Sequence, residues 1–277
     1  MHIDRRLLIQ GGLASMTSSR SPEPSRRSFT TAAARFKALA FDAFPIFDPR
    51  PIDARAEALF PGNGTRLVEL WRNRQFEYSW LRTASGQYVD FMKVSEEALV
   101  FAGHALRLQL SGETRDQLLR AYLTLGAWPD AKPALQGLRS AGVRLALLSN
   151  LTPDMLNGSI ARSGLEGFFE HVLSTDRAKT YKPSPDAYRL GVDAFGLAEN
   201  QILFVAFAGW DAAGAKAFGY PTFWVNRLGL PPEELGSKAD AEGKSLAELT
   251  AYVLDCACTD RRAHPDRRFQ RRRRARQ

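Results

Sequence analysis

The chain has 277 residues, of which 44% are hydrophobic, and its formal net charge is +8. This composition excludes disordered and fibrous classes and allows one large domain or two smaller ones. The charge does not indicate a nucleic-acid-binding surface, because it is concentrated at the two ends. Residues 261–277 hold nine arginines against one aspartate, residues 1–37 are also basic, and the part between them is mildly acidic.

Residues 1–35 predict a disordered leader or a twin-arginine signal. The stretches "DRRLLIQGGLAS" and "SRRSFTTAAA" carry paired arginines, and the second resembles the twin-arginine export pattern. The apolar stretches behind them are short and interrupted, so we expect a cytoplasmic protein, with periplasmic export as the alternative. No segment approaches the roughly 20 apolar residues that span a membrane.

Residues 256–277 predict a basic disordered tail, because they lack apolar periodicity and contain the run Arg271–Arg274. Binding of this tail to nucleic acid or to an acidic surface is the less favoured interpretation. Cys256 and Cys258 are too close for a comfortable disulfide and too few for a zinc site, so we expect two incidental reduced thiols.

Short apolar runs alternate with helical patterns between residues 36 and 260. This alternation predicts an α/β fold with a Rossmann-like open parallel sheet covered by helices. The predicted strands are "FKALAFDAF", "VRLALLSN", "HVLSTD", "QILFVAF" and "PTFWVN". The predicted helix starts between the later strands are Thr152-Pro153-Asp154, Ser184-Pro185-Asp186 and Asp211-Ala212-Ala213.

The segment between the first two strands is far longer than a crossover connection of roughly a dozen residues requires. It predicts a helical cap domain over residues 52–133, inserted into a core domain of residues 36–51 and 134–255. Amphipathic helices are expected from one face formed by Leu67, Leu70, Trp71, Tyr78 and Leu81, and from starts at Ser95-Glu96-Glu97 and Ser111.

Polar residues follow the predicted strands in an ordered way. Asp42 closes the first strand, Ser149 and Asn150 close the second, Lys182 follows the third and Asp211 follows the fourth. Each has an ordinary interpretation as a turn, a cap or a surface charge. Because ligands gather at the carboxyl ends of parallel strands, four such ends together predict a functional site.

The order Asp, Ser, Lys, Asp, with an insertion after the first strand, resembles the haloacid dehalogenase superfamily. The motifs "WRNRQFEYSWLRTASGQYVDFMKVSEEAL", "LLSNLTPDML", "TYKPSPDAY" and "WDAAGAKAFGYPTFWVNRLG" resemble its type II branch, the 2-haloacid dehalogenases. This resemblance implies a hydrolase that converts short-chain (S)-2-haloacids to (R)-2-hydroxyacids. Its expected partners are the substrate, a halide and a second copy of the chain in a homodimer.

The residues themselves separate this branch from the phosphatases of the superfamily. A phosphatase requires a second aspartate two positions after the nucleophile, as general acid, and carboxylates that hold magnesium. Phe44 occupies that position, and "AFAGW" precedes Asp211. A departing halide needs neither an acid nor a metal, so we expect no metal and no cofactor.

The resemblance implies a role for each matching residue. Asp42 would attack C2 of the substrate and form an ester, Lys182 would pair with Asp42 and keep it ionised, and Asp211 would activate the hydrolytic water. Ser149 and the backbone N–H groups of Ala43 and Phe44 would bind the substrate carboxylate.

The remaining matches concern the halide and the pocket walls. Arg72 would receive the halide, Asn150 and Phe91 would complete its cradle, and Tyr188 would brace Lys182 and Asp211. Phe76 and Trp210 would form apolar pocket walls. From the residues alone, Arg72 could equally be a surface charge, and Tyr188, Phe76 and Trp210 could be core residues.

The chain also departs from the family pattern. Pro45 and Ile46 stand where a glycine and a threonine are usual, Leu151 replaces a glycine, and Ala206 and Ala208 replace a serine and an asparagine. Fewer supporting hydrogen bonds predict a lower rate. Two alternatives therefore remain: a hydrolase of the same fold with another small carboxylate substrate, and a catalytically weakened binding protein.

Overall fold

A computed structural model of the chain describes residues 36–262, with side chains as far as residue 254. The leader 1–35, the tail from residue 263 and the side chains of Cys256 and Cys258 lie outside the described part. Within it, no helix is both long enough and apolar enough to cross a bilayer.

The centre of the fold is a six-stranded sheet in which every neighbouring pair is parallel. The strands, in chain order, are β1 Ala38–Phe41, β2 Arg144–Ser149, β3 His171–Ser174, β4 Ile202–Ala206, β5 Thr222–Val225 and β6 Ala241–Gly243. Their spatial order is β3-β2-β1-β4-β5-β6, so β1 is central, between β2 and β4. The predicted open parallel sheet is confirmed. The sequence did not predict β6, a three-residue edge strand without an apolar run.

Nine α-helices occur in the described residues. They are α1 Arg50–Leu59, α2 Gly64–Ser85, α3 Phe91–Ala105, α4 Gly112–Ala121, α5 Ala131–Ser140, α6 Pro153–Ser163, α7 Pro185–Phe195, α8 Gly209–Phe218 and α9 Leu246–Arg262. Short 3-10 turns occupy Thr175–Ala178 and Glu199–Gln201. Helix α9 continues past residue 256, where the tail was predicted to begin, and its first part is held by Leu246, Leu249 and Val253, which are buried at helical spacing.

Both faces of the sheet are covered. Because side chains alternate along a strand, Leu39 and Phe41 pack into one hydrophobic cluster while Ala38 and Ala40 pack into another. The second cluster includes Tyr188 of α7 and residues of α8. Strands buried on both faces explain the nearly continuous apolar runs in the sequence.

Helices α1–α4 lie between β1 and β2, inside the segment predicted as a cap. Two predictions about them are wrong. Helix α3 begins at Phe91, where the Asp90 side chain accepts from Lys93 N over 2.8 Å, and not at Ser95, which is buried within it. Leu81 is 63% exposed, because the buried face of α2 turns toward Gln75 and Ser79 at its centre.

Of the predicted helix starts in the core, Thr152 caps α6 by accepting from Met155 N, and α7 begins at Pro185 as expected. The prediction for α8 is two residues late. The helix begins at Gly209, which places Asp211 in its first turn rather than ahead of it. This position matters, because it turns the Asp211 carboxylate toward the sheet edge where the other polar residues meet.

Candidate active site

Asp42 lies at the carboxyl end of the central strand β1. Its N–H donates to Val205 O over 2.9 Å, so the parallel ladder continues one residue past the strand and holds the backbone of Asp42. The residue is 7% exposed. Ser149 Oγ donates to its Oδ1 over 3.2 Å, and Phe44 N donates to its Oδ2 over 3.2 Å. The carboxylate is therefore oriented by both neighbouring segments of the sheet edge.

Lys182 joins two buried carboxylates. Its Nζ donates to Asp42 Oδ1 over 2.8 Å and to Asp211 Oδ2 over 2.6 Å, and its side chain is 1% exposed. Burial alone would lower the pKa of this ammonium, but the charges of Asp211 and Asp42 outweigh burial and raise it. Lys182 is therefore a fixed cation between the two acids.

Asp211 has both oxygens engaged. Oδ2 accepts from Lys182, and Oδ1 accepts from the Tyr188 hydroxyl over 2.7 Å. Burial raises the pKa of the Asp211 carboxyl to about 6; the charge of Asp42 acts in the same direction, whereas Lys182 and Tyr188 oppose it. A carboxylate with a pKa near neutrality is suited to accepting a proton and returning it.

Tyr188 lies beneath this group and does not line the cavity described below. It is fully buried, and its ring packs against Phe204 and Tyr220. The absence of a side chain at Gly214 on α8 allows this approach, because a Cβ there would lie 2.7 Å from the Tyr188 hydroxyl oxygen. Helices α7 and α8 are thus in direct contact behind Asp211.

Asn150 has a fixed orientation. Its Oδ1 accepts from the backbone N–H of Lys182 over 3.0 Å and from Thr175 Oγ1 over 3.3 Å. Because a backbone N–H can only donate, the amide oxygen must be on this side. The Nδ2 group makes no hydrogen bond to the described residues, so it is available to an anion.

A cavity of about 430 Å³ opens over these residues. Ten of the twelve predicted site residues line it: Asp42, Phe44, Arg72, Phe76, Phe91, Ser149, Asn150, Lys182, Trp210 and Asp211. Besides Tyr188, the exception is Ala43, which is fully buried in the core. The backbone carbonyl of Ala43 accepts from Ile46 N and Phe47 N, which folds the segment after Asp42 into a turn.

Arg72 brings a cation to the cavity from α2. Its Nη2 atom is buried and has no hydrogen-bond partner among the described residues. Asp53 Oδ2, on α1, lies 3.5 Å away. A buried donor without a partner is costly unless a ligand satisfies it, so this atom marks an anion position.

Aromatic side chains form much of the remaining wall. The Phe76 ring contacts the Trp210 ring edge-on at 5.1 Å, and Trp80 contacts Trp210 at 5.6 Å. Phe91 packs against Tyr181 at 6.2 Å. Sequence reasoning missed Trp80, although its position four residues after Phe76 on the same helix is the spacing of neighbours on one face.

Sequence reasoning also missed the residues that hold the turn after Asp42. Trp128 Nε1 donates to Phe44 O over 3.0 Å, and Arg227 Nη2 donates to Pro45 O over 3.2 Å. Arg227 is itself held by Asp130, with the shortest contact at 2.8 Å. Hydrogen bonds from Trp128 and Arg227, which lie far along the chain, therefore hold this turn. It is the position at which the family pattern has a glycine and a threonine.

Two alanines, Ala206 and Ala208, stand where the family pattern has a serine and an asparagine before the second aspartate. Ala206 is buried at the end of β4, and Ala208 lines the cavity. The hydrogen-bond partners of Lys182 Nζ in the described residues are consequently the two aspartates. Its third N–H group is left for a water molecule or a ligand.

The described residues contain no group of three or more His, Cys, Asp or Glu side chains that could hold a metal ion. Phe44, two positions after Asp42, is one of the cavity-lining residues. The site therefore offers a buried carboxylate, an ammonium paired with it, a second carboxylate and an unsatisfied guanidinium.

This chain matches the family model of the haloacid dehalogenase-like hydrolases over residues 22–219. It is 40% identical over 207 residues to haloacetate dehalogenase H-2 of Moraxella sp. (strain B), which covers 74% of this chain and 92% of that protein. It is also 40% identical over 211 residues to the (S)-2-haloacid dehalogenase of Pseudomonas sp. (strain YL), which covers 76% and 91%.

Solved structures of 2-haloacid dehalogenases are also similar to this chain. The L-2-haloacid dehalogenase RSc1362 is similar with a TM-score of 0.78 and 42% identity, over 79% of this chain and 99% of that one. The Xanthobacter autotrophicus L-2-haloacid dehalogenase with chloropropionic acid covalently bound has a TM-score of 0.73 and 33% identity, over 79% and 98%. This chain therefore belongs to the haloacid dehalogenase-like hydrolases, in the branch of the 2-haloacid dehalogenases.

Proposed function

We propose that this enzyme hydrolyses short-chain (S)-2-haloacids to (R)-2-hydroxyacids through an ester on Asp42, without a metal ion. The observation that carries the proposal is a pair of buried ionic hydrogen bonds, from Lys182 to Asp42 and to Asp211. All three residues line the cavity that Arg72 also lines. A nucleophile with a paired cation, but without an acid two positions later, suits a leaving group that departs as a stable anion.

In the first step, Asp42 attacks C2 of the substrate from the side opposite the halogen. The C2–O bond forms as the carbon–halogen bond breaks, and the electron pair leaves with the halide. Oδ2 is the attacking oxygen, because Oδ1 accepts from both Lys182 and Ser149 while Oδ2 accepts from Phe44 N alone. Backside attack inverts the configuration at C2.

Two anions have to be held during this step. On binding, the substrate carboxylate would replace Asp42 as the acceptor of the hydrogen bonds from Ser149 Oγ and Phe44 N, and would also accept from the backbone N–H of Ala43. Asp42 would then keep its bond from Lys182 to Oδ1, which leaves Oδ2 free to attack. The halide would form beside Arg72 Nη2, with Asn150 Nδ2 as a second donor. Arg72 Nη2 is buried without a partner among the described residues, and the two bonds that Asn150 Oδ1 accepts turn its Nδ2 away from them; both observations support these assignments.

In the second step, water attacks the ester carbonyl carbon of Asp42. Asp211 accepts one proton of the water and returns it to the departing alkoxide, so the hydroxyacid leaves. The second proton of the water remains on Asp42 as a carboxylic acid and is lost to solvent, which restores the carboxylate. Lys182 remains protonated throughout and offsets the negative charge that develops on the former carbonyl oxygen of the tetrahedral intermediate. Tyr188 acts through Asp211, as a positioning residue.

The experiment is halide release from (S)-2-chloropropionate by the wild type and by Asp42→Asn, with the (R)-enantiomer as the second substrate. Wild type should release chloride from the (S)-form alone and yield (R)-lactate, and Asp42→Asn should be inactive. In a single turnover in heavy-oxygen water, the product oxygen should come from Asp42 and not from the solvent.

Three results would contradict the proposal. Retained activity in Asp42→Asn would remove the nucleophile, and solvent oxygen in the first product would indicate direct water attack. A wild type that releases no halide but hydrolyses another small carboxylate would favour the alternative of a different substrate. The reason to consider this alternative is that Ala206 and Ala208 make this part of the site more apolar.

A further inference from the structure

Asp53 is a cavity-lining acid that the proposed reaction does not use. It lies in the first turn of α1, and its Oδ2 is 3.5 Å from Arg72 Nη2 on α2. Both side chains line the cavity. A carboxylate at this position is unexpected, because the substrate and the halide are both anions and have to approach the same guanidinium.

The contact between Asp53 and Arg72 is a loose ion pair. A separation of 3.5 Å is beyond the range of a good N–H···O hydrogen bond, and Nη2 has no such bond among the described residues. In contrast, Arg144 contacts Glu170 at 2.6 Å. Arg72 therefore keeps an unused donor even though a carboxylate is beside it.

The other cavity-lining acids near α2 do not share this position. Glu77 pairs with Arg74 at 2.6 Å, and Asp53 is the acid within 4 Å of Arg72 in the part of the chain that the structure describes. The negative charge that a halide on Nη2 would meet first is therefore that of Asp53.

We propose that Asp53 lowers the halide affinity of Arg72 and thereby speeds release of the halide product. The inference rests on the proposed function, which gives Arg72 the departing halide. A halide held on Nη2 lies a few ångströms from the Asp53 carboxylate, and like charges at that distance repel. When the halide leaves, the guanidinium loses that counter-ion, and Asp53 remains beside it as a negative charge.

The size of the effect follows from exposure. The side chains of Arg72 and Asp53 are 36% and 41% exposed, so solvent screens much of their interaction. Removing the Asp53 charge should therefore strengthen halide binding about two- to fivefold, which is the range of a partly screened pair. The same charge also opposes the halide that develops during bond cleavage, so Asp53 exchanges some rate of cleavage for faster release.

Chloride binding to the substrate-free protein, followed by chloride NMR line broadening, tests this inference without turnover. Asp53→Asn and Asp53→Ala should bind chloride about two- to fivefold more tightly than wild type. Glu69→Gln is the matched control. Glu69 is exposed on α2, three residues from Arg72, and does not line the cavity. The chloride dissociation constant of this variant should therefore equal that of wild type. In turnover assays, the Asp53 variants should show stronger chloride inhibition.

The outcomes separate this inference from the proposed function. Unchanged or weaker chloride binding in both Asp53 variants overturns the role of Asp53. Arg72→Ala should lose the specific broadening; if it binds chloride as wild type does, the halide site assigned to Arg72 is wrong instead.

Discussion

The Lys182 ammonium lies 2.8 Å from Asp42 Oδ1, and both side chains are buried where the central strand ends. Because the same nitrogen also contacts Asp211, one cation pairs with both the proposed nucleophile and the acid proposed to activate water. The two steps of the proposed reaction therefore share a single counter-ion.

Lys182→Ala should abolish halide release, with a rate loss on the order of 10³ or more, since transition-state charge then has no fixed cation. The substitution should also lower the free energy of unfolding by about 3–5 kcal/mol, because it leaves buried carboxylates uncompensated. Chloride release and denaturant unfolding measure these effects. The control is Lys179→Ala, whose exposed pair with Asp176 should contribute less than about 1 kcal/mol. Equal losses in the two variants would contradict the role of Lys182.

Asp211→Asn should accumulate the ester on Asp42, because an amide cannot accept the proton of the attacking water. Mass spectrometry of the protein mixed with (S)-2-chloropropionate should show a substrate-derived adduct on the peptide that contains residue 42. The double variant Asp42→Asn, Asp211→Asn should show none. If Asp211→Asn forms no adduct and releases no halide, Asp211 is required before ester hydrolysis.

The rate of ester hydrolysis should fall in acid, where Asp211 becomes protonated. Its pKa is about 6 in the free protein, and the acidic limb for ester hydrolysis should lie below that value, because the ester removes the Asp42 charge that raises the pKa. The Tyr188 hydroxyl donates to the ionised form of Asp211 and so lowers its pKa. Tyr188→Phe should therefore raise this pKa and move the acidic limb of the pH profile upward by roughly one unit. Tyr220→Phe is the control, because the Tyr220 hydroxyl donates to the Tyr188 carbonyl and not to Asp211. A limb that stays in place in Tyr188→Phe would refute this assignment.

Metal chelators should leave halide release unchanged. The donor set at the site, with Phe44 at the second position after Asp42, offers no carboxylate cluster for magnesium in the described residues. Activity measured before and after exhaustive EDTA treatment, and again with added Mg²⁺, checks this expectation. Activity that is lost with EDTA and restored by Mg²⁺ would count against metal-independent displacement.

Gly214→Ala should reduce both stability and activity. In the interior of α8, alanine is favoured over glycine by about 1 kcal/mol, but its Cβ would lie 2.7 Å from Tyr188 Oη and from Pro183 Cβ. The clash should displace Tyr188 from Asp211. Gly137→Ala in α5 gains the same preference, and its Cβ would lie 3.6 Å from Thr250 Cγ2, an ordinary van der Waals contact, so it should stabilise the protein without a change in rate. Thermal unfolding and chloride release compare the two variants.

The sequence predicted the sheet and most of the site because both depend on local patterns. Apolar runs mark the strands, and polar residues directly after β1 and β2 lie at one edge of a parallel sheet. Lys182 is different: it lies eight residues beyond β3, so its contact with Asp42 was predicted by resemblance to a motif and not by periodicity.

What the sequence did not predict depends on contacts between distant segments. The bond from Trp128 to Phe44 O joins residues 84 positions apart, and no local pattern marks either as a partner. Asp53 reads as an ordinary first-turn acid of a helix, and it becomes notable only because α2 brings Arg72 beside it. The start of α3 was misplaced because Ser95 and its following acids resemble a cap as closely as Asp90 does.

The segments 46–48 and 126–128 are hydrogen-bonded to each other beside the turn that follows Asp42. Phe47 and Ala127 form an antiparallel bridge, Asp48 N donates to Gly126 O, and Trp128 N donates to Ile46 O. The chain thus leaves the sheet for α1–α4 and returns from them through one short two-stranded hinge. Because Trp128 on the returning segment also donates to Phe44 O, a displacement of these helices against the sheet would act directly on the backbone two residues from Asp42.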